Sequence, residues 1–154
     1  MNPLTHFLVG LLISVFIFIT LPFVGIIEAS IFLLASFLID FDHYLYFVFV
    51  EKKTRLKKAY KWFLIKKEKY FSLPRKERKK HYQSICLFHG IEPLVFIFIL
   101  GHFVHYYFYF VLAGMFIHLL LDILEDVVIY NSCSLKYSII YTYLKTRKLK
   151  IIQA

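Results

Sequence analysis

Histidines and carboxylates recur in four groups along a chain that is otherwise strongly apolar. His6 follows Asn2-Pro3-Leu4-Thr5. Asp40-Phe41-Asp42-His43 comes next, then His89-Gly90-Ile91-Glu92-Pro93, then His118-Leu119-Leu120-Leu121-Asp122. An Asp near the centre of a helix in hydrocarbon costs ~2.5–3.5 kcal/mol. A metal, a proton or an opposite charge must neutralise it. The apolar blocks that hold these groups contain no Lys or Arg, which favours a metal or protons over salt bridges. Imidazole and carboxylate ligands without thiolate suit Zn, Mn or Fe, and a carboxylate-rich set also suits Mg. The expected cofactor is therefore a divalent metal, with Zn first and Mn, Fe or Mg behind it.

Helical spacing decides which of these groups can meet. His118 and Asp122 are i and i+4 and share a face. Asp40 and His43 share a face, while Asp42 points elsewhere, toward a second metal or a position behind the ligands. His89 and Glu92 are i and i+3 and meet if the helix already begins there. The four groups together supply the candidate metal ligands. Such a set is large enough for two metals. Two-metal sites clamp the attacking and leaving oxygens in hydrolysis, and metal-bound water is a nucleophile at neutral pH. A carboxylate beyond the ligand count serves as general base, a catalytic role assigned to Glu92 and Asp42. Taken singly, each group also reads as a helix cap, a packing pair or a headgroup-level span end.

The elements that position these residues follow from composition. The chain has 154 residues and is 60% hydrophobic and 20% aromatic, well above the ~45–50% apolar content of soluble domains. Mean hydropathy is +0.65. The expected fold is all-α and polytopic, with about four transmembrane helices. A span needs ~20 mainly apolar residues. The first runs from Phe7 to about Thr20, with Pro22 and Gly25 after it. The second runs from about Ile26 or Glu28 to Val50. The block from Ile85 to Tyr130 divides into Pro93 to about Tyr106 and Tyr109 to Tyr130. The N-terminal stretch lacks a basic n-region and a clear cleavage site, and reads as a retained membrane helix. Cys86 and Cys133 form no C-x-x-C pair, so neither a disulfide framework nor a thiolate zinc site is expected.

The net charge of +9 is concentrated. Residues 1–50 carry no Lys or Arg, and the basic residues lie between Lys52 and Lys80 and from Lys136 to Lys150. In the basic segment 51–84, between the second and third spans, Leu56, Tyr60, Phe63 and Leu64 fall at helical spacing. An amphipathic helix on the membrane surface is expected there, ended near Pro74. Anionic lipid headgroups explain its lysines, so membrane lipids are the expected partners and nucleic acid is not. Residues 1–130 then form a helical membrane domain and 131–154 a basic tail. Four spans place loop and tail on one side, which the positive-inside rule makes cytoplasmic. The expected location is the cell membrane. All four polar groups converge in the inner leaflet, and His102 and His105 fall at the opposite end.

The Thr5-His6 start, the Asp40-x-Asp42-His43 motif, His89 after a basic segment and Gly114-x-x-x-His118-x-x-x-Asp122 resemble a known family. These are the LexA-regulated, membrane-bound metal-dependent hydrolase-like proteins of bacterial and archaeal inner membranes. The resemblance covers roughly residues 3–126 and implies His6, Asp40, Asp42, His43, His89, His118 and Asp122 as ligands. Glu92 rests on local spacing alone. The family often carries a His-Arg-Gly-x-Thr-His-Ser type segment where this chain has His89-Gly90-Ile91-Glu92-Pro93. The leading expectation is a metal-dependent hydrolase acting on a phosphoester or lipid-like substrate at the inner leaflet. The alternatives are a proton or metal-ion carrier using the same residues, and a non-catalytic membrane adaptor binding through Lys52–Lys80.

Overall fold

In α1 (Pro3–Thr20) the small and polar residues face inward and the large apolar ones face out. His6, Gly10 and Ser14 are buried, one turn apart, while Leu12, Phe16 and Ile19 are 72%, 66% and 74% exposed. A helix in water does the reverse. In lipid there is no hydrophobic drive between helices, so small residues collect at helix contacts and bulky apolar side chains face the acyl chains. The computed structural model describes residues 3–78, 81–82, 87–128, 138–146 and 150–151, and the same inversion recurs in α2 (Ile26–Leu38) and α7 (Tyr107–Val128). Their buried positions are Glu28, Ala29 and Ser36 on α2 and Gly114 and His118 on α7, joined by the large apolar Phe32 and Met115. Phe116, Leu120, Leu124 and Val128 form an exposed stripe on α7.

The fold is all-helical, with one two-residue parallel pairing among the described residues, His81–Tyr82 (β1) with Lys150–Ile151 (β2). Three stretches are long and apolar enough to cross a membrane: Pro3–Thr20, Ile26–Glu51 and Tyr107–Val128. The second was expected as one helix. It is instead two, α2 and α3 (Phe41–Glu51), with a turn at Ile39–Asp40 between them. The block expected as Pro93 to Tyr106 is α6 (Ile91–Phe103), only 13 residues. At 1.5 Å per residue it is ~20 Å long, short of the ~30 Å hydrocarbon core.

The chain divides into two compact units, Met1–Asp40 with Ile91–Leu135, and Phe41–Gly90 with Lys136–Ala154. In the first unit α2 packs against α1 and α7, and α6 against α7. Gly114 makes the α2–α7 contact possible: a Cβ there would lie 2.5 Å from the Phe32 carbonyl oxygen and 2.9 Å from the Ala35 Cβ. Ser14 Oγ donates to the Ala29 carbonyl at 2.7 Å, tying α1 to α2. At the far end of α2, Glu28 accepts from the Gly25 amide at 3.0 Å and from the Tyr106 hydroxyl at 2.7 Å. His102 and His105 are exposed near the turn between α6 and α7.

In the second unit α3 packs on α4 (Leu56–Ser72). Trp62 meets the buried Phe47 edge-on, and its indole N–H donates to Glu51 at 3.1 Å. Lys52 closes α3 with a left-handed φ of 54°. Pro74 stands between α4 and the short α5 (Arg75–Arg78), while α8 (Ile139–Thr146) lies in the tail. Cys86, Cys133, Lys79, Lys80, Tyr130 and most of the expected tail, together with the composition boundary at residue 130, lie outside the described residues.

Two features of α4 differ from the expected surface helix. Leu56, Tyr60 and Leu64 are exposed as expected, but Phe63 packs inward against Tyr46, Trp62 and His43. Lys66 is 2% exposed, with its ammonium 4.0 Å from the Trp62 ring centroid. Burial pushes its pKa down from 10.5 to about 8, against the opposing pull of Glu51.

Candidate metal centre

Four expected ligands come together in the first unit. α1 brings His6, the turn after α2 brings Asp40, and α7 brings His118 and Asp122 one turn apart. His6 and His118 are fully buried, with their rings stacked at a centroid distance of 3.9 Å. Both Nε2 atoms address Asp122: His6 reaches Oδ1 at 3.2 Å and His118 reaches Oδ2 at 3.4 Å. His118 Nε2 also stands 3.5 Å from Asp40 Oδ1. One ligand atom from each of His6, His118 and Asp122 lies within 4.8 Å of the others, a group able to hold a metal ion.

The orientation of His118 is fixed from behind. Its Nδ1 lies 2.8 Å from the buried Ser36 carbonyl oxygen. A carbonyl can only accept, so Nδ1 carries the proton and a neutral ring turns its Nε2 lone pair toward the two carboxylates. Metal-ligating histidines almost always donate their other N–H in this way. The distances add a second argument. A charge-assisted N–H···O bond is ~2.7–2.9 Å, whereas tetrahedral ligands ~2.0–2.1 Å from a zinc ion lie ~3.3 Å apart. The separations of 3.2, 3.4 and 3.5 Å lie at or beyond the long end of an N–H···O bond and are short enough for the same atoms to share an ion. Charge balance agrees. One divalent cation neutralises two carboxylates and leaves both stacked imidazoles neutral, while protons on both rings would place like charges face to face. His6 Nδ1 is buried without a hydrogen-bond partner among the described residues.

The second unit gathers Asp42, His43 and His89. Asp42, in the first turn of α3, is 3% exposed. Its Oδ2 accepts from the Phe88 amide at 2.9 Å and lies 3.0 Å from His89 Nδ1. The His43 and His89 ring centroids are 4.7 Å apart, and Phe63 packs on the His43 ring. Glu92 stands half-buried in the first turn of α6. That helix begins two residues after His89, so His89 and Glu92 do not share a helical turn.

Sequence reasoning missed the groups that support the ligands. The Ser36 carbonyl and the Phe88 amide are backbone atoms and leave no trace in residue identity. Gly114 was visible, four residues before His118 on the same face, as a site of close helix approach. Phe63 was visible as an aromatic, though its direction was not. No family model, curated protein or solved structure matches the chain.

Proposed function

We propose that this chain is a membrane-bound metal-dependent hydrolase whose centre is built from His6, His118 and Asp122, with Asp40 beside them. The observation that carries the reading is the Ser36 carbonyl on His118 Nδ1 at 2.8 Å, which turns Nε2 onto two carboxylates that lack a Lys or Arg in their apolar blocks. Kinship with the LexA-regulated membrane-bound metal-dependent hydrolase-like proteins is part of the proposal, supported by the order of the four motifs. A divalent ion, zinc first, would supply a Lewis acid and a water nucleophile at neutral pH. His6 and His118 each bring an Nε2 to the Asp122 carboxylate, one to each of its oxygens. Substrates with a phosphoester or lipid-like character fit a centre set among outward-facing apolar side chains.

The proposed topology has four crossings, with α6 as the short one, accommodated by local bilayer thinning. Loop and tail then share the cytoplasmic side, which their lysines favour. The exposed Leu56, Tyr60 and Leu64, flanked by exposed Lys57, Lys58 and Lys61, seat α4 on anionic headgroups there.

Metal content of purified wild type, His118→Ala and Asp122→Ala tests the reading. Stoichiometric metal in wild type and its loss in both variants is expected, together with metal-dependent turnover of phosphoester or phospholipid substrates. Wild type without metal after loading with Zn, Mn, Fe or Mg would sink it. A second reading, a proton or metal-ion carrier, draws on the buried Glu28 at the other end of α2, with Ser14 and Ser36 between it and His118. Flux into liposomes that stops with Asp40→Asn would favour that reading.

A further inference from the structure

We infer that the second unit holds a metal position of its own, formed by the imidazoles of His43 and His89, with Asp42 as the residue that positions His89. The inference rests on the hydrolase reading and deepens it by giving the second unit an ion position of its own.

The Asp42 carboxylate is 3% exposed and takes two donors on one oxygen. The Phe88 amide and the His89 ring belong to consecutive residues, so the carboxylate grips the chain and the imidazole together. A carboxylate has no proton to give, so His89 Nδ1 is the protonated nitrogen. The Nε2 lone pair then lies on the far side of the ring from Asp42. With both rings neutral, the buried Asp42 carboxylate meets no opposite charge among the described residues, and buried charge left without one is strongly destabilising. A divalent ion at Nε2 supplies one. Carboxylate behind histidine behind metal is a recurring arrangement, and removing the carboxylate typically costs ~10–100-fold in metal affinity.

The partner ring stands where a shared ion requires it. Two imidazoles bound to one zinc ion at ~2.0–2.1 Å, in tetrahedral directions, place their ring centroids ~5 Å apart. The His43 and His89 centroids are 4.7 Å apart with planes inclined at 47°. Each ring is held from behind by a different element. Asp42 orients His89, and Phe63 of α4 supports His43 at a centroid distance of 4.9 Å. This assigns Asp42 to a positioning role rather than to direct ligation.

The test uses the full chain in nanodiscs, with bound zinc counted after equilibrium dialysis. Two ions per chain are expected for wild type and one for His43→Gln and for His89→Gln. Asp42→Asn keeps an accepting oxygen but loses the charge, so it should weaken one ion ~10–100-fold and leave the other unchanged. Spectra of ¹⁵N-histidine-labelled, metal-free protein read the positioning role directly. His89 should be the Nδ1–H tautomer in wild type and in Asp42→Asn, and should lose that preference in Asp42→Leu. A single ion in wild type that survives both glutamine variants overturns this inference and leaves the first centre standing. No ion in wild type overturns both. An Nε2–H tautomer for His89 in wild type overturns the role of Asp42 without any variant having to fold.

Discussion

Gly114→Ala should separate α2 from α7 and loosen the metal centre one turn away. A Cβ at this position would meet the Phe32 carbonyl oxygen at 2.5 Å, the Ala35 Cβ at 2.9 Å and the Ser36 amide nitrogen at 3.0 Å. Comfortable C···O contacts are ~3.3–3.6 Å, so the helices must part by ~1 Å, and two of the three obstacles are backbone atoms that cannot rotate away. Ser36 and His118 lie on the same contact. Adding ~1 Å to the 2.8 Å bond between His118 Nδ1 and the Ser36 carbonyl takes it past the limit of a hydrogen bond. Overpacking of this size costs ~1–3 kcal/mol. Losing the bond behind a ligand costs ~10–100-fold in metal affinity. Gly10→Ala is the control, because its obstacle is the Ser36 side chain. That hydroxyl currently donates to Leu33 and can rotate. Melting in detergent by circular dichroism, alongside zinc competition with a chelating dye, separates the two effects. A Gly114→Ala protein that melts early but binds zinc within twofold of wild type would refute the link between packing and ligand orientation. Unchanged melting would refute the packing argument itself.

Lys66 gives a pH prediction. Its pKa is about 8 in the folded chain against an ordinary 10.5. Between these values the unfolded chain keeps a proton that the folded chain has released, so stability of the α3–α4 packing rises with pH across that window. At 1.36 kcal/mol per unit, and allowing for solvent screening and the Trp62 ring, the gain is ~1–2 kcal/mol. Trp62 is the chain's only tryptophan and reports it by fluorescence during denaturation. Lys66→Met should be more stable at pH 7 and show a flat profile, and an unchanged slope would remove Lys66 as its cause. Ser14→Ala deletes the bond to the Ala29 carbonyl and should cost only ~0.6 kcal/mol, the average for such bonds between membrane helices. Its zinc binding should match wild type.

The span-length apolar helices and the polar groups among them were legible because each is a local contrast. Dense Phe, Ile and Leu mark spans, and a His or Asp among them stands out. The break at Ile39–Asp40 was not legible, since neither residue is a Gly or Pro and no break is written into the local composition. The faces of α4 were half legible. Phe63 lies only ~20° around the helix from Leu56 at 100° per residue, so spacing placed them on one stripe. Packing separates them, with Leu56 outward and Phe63 on His43. Lys66 reads in sequence as one more solvated cation, and only the Trp62 and Tyr46 rings around it show otherwise.

Packing and chemistry in the first unit use the same turn of α2. Ser36, 1% exposed, is approached by Gly10 from α1 and by Gly114 from α7. Each glycine sits four residues from a histidine, Gly10 after His6 and Gly114 before His118. The close approach that removes a side chain from the contact thus brings an imidazole to the next turn. One turn after Ser36 stands Asp40. His118 reaches both, with Nδ1 on the Ser36 carbonyl at 2.8 Å and Nε2 toward Asp40 Oδ1 at 3.5 Å. The ring therefore bridges the last turn of α2 and the Ile39–Asp40 turn that follows it. A one-residue slip of α7 against α2 would carry His118 ~1.5 Å along and ~100° around, and neither contact would survive. Helix register is consequently set by polar atoms at the centre of the unit rather than by the apolar side chains that face outward. Polar contacts of this kind can fix register where lipid supplies no hydrophobic drive toward helix association.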